Sequence, residues 1–103
     1  MVTSFIYHGL NGEAYRFSAI DISNQRALPI CGGLIVVAKE GEAPVYIGYA
    51  SSIRERMIVA NLWNDARHGH GASRIYVLPS GNMSWGEKAA NNLRARYKPA
   101  MNE

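Results

Sequence analysis

The stretch from Pro44 to Met57 constrains the fold more than any other part of the chain. Val45-Tyr46-Ile47-Gly48 is short, apolar and aromatic, the composition of a covered strand. Ser52 stands three residues before Glu55, the spacing of a capping box, in which both side chains satisfy backbone donors left open at a helix start. The stretch therefore predicts a buried strand, a short turn and a helix beginning near Ile53. A phenol on the strand, Tyr46, and a guanidinium one turn into the helix, Arg56, can then point into the same cleft.

The rest of the chain supplies partners for that unit. Ser4 to Leu10 and Glu13 to Ile20 are two β-rich runs joined at Asn11-Gly12, a dipeptide that tolerates the positive φ of a hairpin turn. Tyr7, Tyr15 and Phe17 form its expected apolar face, and His8 is expected to be an exposed strand residue. Residues 21–28 are polar and read as a loop or a short helical turn. Ile30 to Ala38 is a continuous apolar run of strand type, turning at Lys39-Glu40-Gly41-Glu42 into the Tyr46 strand, with Pro44 at its start because proline has no donor. The helix from Ser52 is expected to present Ile53, Met57, Ala60 and Asn61, with Ile58 and Leu62 beside them, and to end before a basic, glycine-punctuated loop, Arg67-His68-Gly69-His70-Gly71. Ser73 to Leu78 reads as a further central strand. Ser84 with Glu87 repeats the capping-box spacing, and Trp85, Ala89, Leu93 and Tyr97 space out the face of a last helix that stops at Lys98-Pro99. The sum is an α+β chain, a small antiparallel-rich sheet flanked by helices, forming a single domain with an N-terminal hairpin extension over 1–28 and a core over 29–103.

At 103 residues and 48% hydrophobic, the chain is sized for one core. Cys31 is its one cysteine, so neither a disulfide framework nor a cysteine-rich zinc site is expected. The opening Met-Val-Thr-Ser-Phe lacks a basic segment ahead of a long apolar run, and no run approaches a membrane span, so a cytoplasmic location away from membranes is the expectation. Residues 1–53 carry three Lys/Arg and four Asp/Glu, whereas residues 54–103 carry eight and four. The basic charge begins where the first helix begins, which suits a polyanion such as nucleic acid and equally suits a solvated basic surface.

Tyr46-Ile47-Gly48, Arg56 ten residues after Tyr46, Glu87 at the start of the last helix and the close Pro99-Ala100-Met101-Asn102 stand in an order that resembles the GIY-YIG nuclease family. The resemblance covers about Gly32 to Asn102. It departs at the first motif, where Gly33-Leu34-Ile35 has isoleucine in place of the tyrosine, and at Ala60, where the family often has histidine or tyrosine.

The resemblance implies a metal-dependent endonuclease that hydrolyses DNA phosphodiester bonds. Glu87 would hold one divalent ion, Mg²⁺ or Mn²⁺, Arg56 would hydrogen-bond the scissile phosphate, and Tyr46 would be the general base on the attacking water. Tyr49 is the nearest phenol to replace the tyrosine absent at Ile35. Arg54, Arg67, His68, His70, Arg74, Lys88, Arg94 and Asn102 are candidate nucleic-acid contacts, which position a substrate without reading its sequence. Specificity would come from the hairpin, the His68 region, a homodimer partner or another protein. Each residue also has a plainer reading: Tyr46 as a core aromatic, Glu87 as a capping-box member, Arg56 on a solvated helix face and the basic residues as surface. The alternative function is a catalytically weakened relative that binds nucleic acid or a protein.

Overall fold

Asn11-Gly12 turns the chain as its chemistry requires, with Gly12 at φ +87°. In the computed structural model, which describes residues 4–20, 28–58 and 62–102, this corner joins β1 (Ser4–His8) to β2 (Ala14–Ile20), placing Tyr7 opposite Tyr15 and Phe5 opposite Phe17. The loop expected over 21–28 lies outside the described residues except for Leu28, as do Ala60 and Asn61.

The two apolar runs form the second hairpin, β3 (Gly33–Lys39) and β4 (Ala43–Ala50), and Arg74–Pro79 is β5. Ile30 and Cys31 are exposed and precede β3. All neighbouring strands are antiparallel, in the order β1-β2-β5-β3-β4. β3 lies between β5 and β4, and Leu34 to Ala38 are fully buried, which is why its sequence is an unbroken apolar run rather than an alternating one.

Helices cover both faces. α1 (Ile53–Ile58) and α2 (Leu62–His70) bury Ile53, Met57, Leu62 and Ala66 against Ile35, Val37, Tyr46, Ile75 and Val77. α3 (Met83–Tyr97) buries Ala89, Ala90 and Leu93 against Leu34, Val36, Ile47, Tyr76 and the hairpin's Tyr7, Tyr15 and Phe17. Full burial of each large apolar side chain contributes about 1.5–3 kcal/mol. The protein is therefore α+β, a five-stranded antiparallel sheet between two helical layers. Among the described residues no helix is long and apolar enough to cross a membrane.

Two local expectations are corrected. Arg67-His68-Gly69-His70 is the last stretch of α2, and the glycine that ends the helix is Gly71, at φ +71°, followed by a return bond from the Ala72 amide to the Ala66 carbonyl. α3 is capped by Asn82, whose Oδ1 accepts from the Trp85 amide at 3.0 Å, so Ser84 and Glu87 lie inside the helix rather than forming its cap.

Candidate site at the edge of β4

The register of β4 decides where its side chains go. Val37 pairs with Tyr46 but Ala38 pairs with Pro44, so Val45 is the extra residue of a β-bulge. Both Val45 and Tyr46 consequently join the core beneath α1 and α2. Beyond the bulge the strand alternates, with Tyr46 and Gly48 facing α1, and Ile47 and Tyr49 facing α3. The Tyr46 ring lies along the strand over Gly48, where an added Cβ would come 2.4 Å from the phenol oxygen. Glycine at position 48 is what gives the ring its bed.

The turn after β4 delivers α1 to the same place. Ser52 Oγ accepts from the Glu55 amide at 3.4 Å and its carbonyl accepts from the Arg56 amide at 3.1 Å. Buried Ile53 and Met57 pin α1 to the sheet and leave Arg56 at its exposed margin. From there Arg56 Nη2 donates to the Tyr46 hydroxyl at 3.2 Å, with the guanidinium carbon 6.0 Å from the ring centre. Tyr46 is 8% exposed, so the pair sits where the core meets solvent. Arg54 turns the other way and donates from Nε to the Leu28 carbonyl at 3.0 Å.

α3 reaches the same edge from the opposite face. Gly86 packs on the Tyr49 ring so closely that a Cβ there would lie 2.2 Å from it. Eight residues later, Arg94 Nη1 donates to the Ile47 carbonyl at 3.1 Å. The helix thus runs antiparallel to β4. Glu87, seven residues before Arg94, lies on the same side of α3 about 10 Å nearer its start. It is exposed, on the helix that packs against the opposite sheet face from α1. Tyr46 and Arg56 are thus in contact on the α1 face, while Glu87 stands exposed on α3, which packs on the other face.

β4 is an edge strand, and two side chains stand where a neighbouring strand would. The Ile47 amide donates to Asn102 Oδ1 at 2.9 Å, and the Ile47 carbonyl accepts from Arg94. Asn102 reaches the edge from a short 3₁₀ turn, Ala100–Asn102.

The other expected residues are scattered. Tyr49 donates to the Ser80 carbonyl at 3.1 Å on the α3 face, so strand alternation separates it from Tyr46 and it does not replace a phenol there. Ile35, where that phenol would stand, is fully buried on the Tyr46 face directly opposite Gly48. Arg67, His68 and His70 are exposed at the end of α2, and Lys88 is exposed on α3. Arg74 is engaged elsewhere, with Nε 3.0 Å from Glu42 Oε1. Among the described residues no three His, Cys, Asp or Glu side chains gather as a metal-binding group.

Sequence reasoning missed the surroundings of Glu42. At φ +67° this residue holds its carboxylate against Arg74 and the Tyr76 hydroxyl, which donates to it, while its carbonyl accepts from Tyr7 at 3.1 Å. Tyr7 in turn meets Phe17, Tyr76 and Tyr97 edge-on. Burial, with the Glu42 carboxylate second, pushes the Tyr76 phenol up to about 12 and raises Tyr7 as well. No sequence signal marks Glu42, because its neighbours come from two strands distant in sequence, β1 and β5.

The fold and its edge site define a small α+β domain with a phenol–guanidinium pair at the solvent boundary of the sheet. No family model matches the chain, and no curated protein or solved structure matches it.

Proposed function

We propose that the protein is a metal-dependent endonuclease of GIY-YIG type that hydrolyses DNA phosphodiester bonds. The observation that supports this best is the 3.2 Å hydrogen bond from Arg56 to Tyr46, two positions that the family resemblance pairs in one site. Arg56 is exposed, so the fork that steadies the phenol can also reach a phosphate oxygen. Tyr46, at the solvent boundary, takes the proton of the attacking water. Asn102 and Arg94 hold the strand that carries Tyr46. Glu87, an exposed carboxylate of α3, suits Mg²⁺ or Mn²⁺, since a hard ion that dehydrates reluctantly needs one carboxylate, waters and the substrate phosphate. Such an ion, when bound, supplies positive charge for the phosphate and the leaving oxygen.

The test is nicking of supercoiled plasmid with Mg²⁺ or Mn²⁺ by the wild type, Glu87→Ala and Tyr46→Phe. Nicking by the wild type, reduced at least about 100-fold in both variants, is the expected result. Equal activity in all three would assign the cutting to a contaminant. Buried Ile35 favours a second reading, a weakened relative that binds nucleic acid without cutting. It predicts salt-dependent DNA binding and no metal-dependent nicking.

A further inference from the structure

Beside the proposed site lies an open groove of about 460 Å³ lined by Arg94, Ala95, Lys98, Pro99 and Asn102. Two of these five carry positive charge and none carries negative charge. Asn102 Oδ1 is turned to the Ile47 amide, so its Nδ2, with two donors, is directed away from the strand. Arg94 is fixed by bonds to the Ile47 carbonyl and to Asn91 Oδ1. Lys98 holds a left-handed conformation at the end of α3, φ 47°. The groove thus offers the Lys98 ammonium and the Asn102 Nδ2 donors, and it is fastened to the residue next to Tyr46.

We infer that this groove is a second phosphate subsite, which holds a backbone phosphate of the DNA strand flanking the scissile one. The inference rests on the nuclease reading for its substrate and adds a second anchor to it. Arg56 would grip the phosphate being cut on one side of β4 while Lys98 and Asn102 grip its neighbour beyond the edge. A substrate strand would then cross the edge of β4 rather than lie on a sheet face.

Binding measured without divalent metal separates this inference from catalysis. In a salt titration with a short DNA duplex, Lys98→Asn, which suits the left-handed backbone, is expected to lower the slope of log K against log[salt] by about 0.9, one phosphate contact. The Asn102 side-chain amide, followed by NMR in the wild type, is expected to shift with the duplex and, more weakly, with inorganic phosphate. If nicking fails but the slope falls and Asn102 shifts, the subsite stands and the enzyme reading falls. An unchanged slope with a silent Asn102 overturns the subsite even in an active nuclease. A response to inorganic phosphate alone, with an unchanged duplex slope, also overturns it, since the groove would then hold free anions and not DNA backbone.

Discussion

Asn102 gives its side-chain oxygen to a single amide, and the location of that amide explains the arrangement. Ile47 has no strand beyond it, so its amide and carbonyl would otherwise face water. Asn102→Ala is expected to cost about 1 kcal/mol in urea unfolding, the net value of one hydrogen bond, and to reduce nicking by more than stability explains. Tyr76 tests a different physics. Its phenol is pushed up to about 12 in the folded protein from 10.0, so the unfolded chain loses the proton first. Stability is then fully present below pH 10 and falls as pH rises from about 10 to about 12, with Tyr7 acting in the same direction. Urea unfolding across that window should show the decline, and Tyr76→Phe should make it shallower. At this scale the sequence was legible where chemistry is local, as with Ser52 at the start of α1. It was misleading at Ser84 and Glu87, because Asn82 stands two residues earlier with an equally good capping oxygen.

Single elements are fastened to one another by few groups. Asn92 joins the tip of the N-terminal hairpin to α3: its Nδ2 donates to Asn11 Oδ1 at 2.7 Å and Tyr15 Oη at 3.0 Å. Its Oδ1 accepts from the Asn11 amide at 3.2 Å and its carbonyl from the Leu10 amide at 3.1 Å. Asn92→Ala is expected to cost about 1–3 kcal/mol, with faster amide hydrogen exchange concentrated in β1 and β2. Nothing in the local sequence announces this, since the bonded positions are 81 residues apart. The strands themselves were readable from apolar runs and from Asn11-Gly12. The end of α2 was not. Gly69 lies inside the helix and only Gly71 takes the positive φ that stops it, a choice made by backbone closure to Ala66 rather than by composition.

Across the whole molecule, the basic half of the chain does not form one face. Residues 54–103 supply α1 and α2 on one side of the sheet and α3 on the other, so their cations are divided between the two layers. The order of Tyr46, Arg56, Glu87 and Asn102 was visible in the sequence, but the meeting of Tyr46 with Arg56 and of Asn102 with Ile47 depends on the bulge at Val45 and on the C-terminal turn. The missing phenol can be put back as a test of the whole arrangement. Ile35→Tyr would place a ring opposite Gly48, against the Tyr46 ring, in a fully packed position. It is expected to lower stability by about 1–3 kcal/mol and to raise the nicking rate, measured by thermal melts and plasmid assays on the same preparation.

The fastening of Ile47 has one more consequence, for self-association. A bare outermost strand is a template onto which another copy can add its own, and so a starting point for fibres. Here the midpoint of that template is already occupied by the protein's own arginine and asparagine. Fibre growth along this side would first have to peel away the C-terminal turn, so the same two residues that steady the strand also guard it against misassembly.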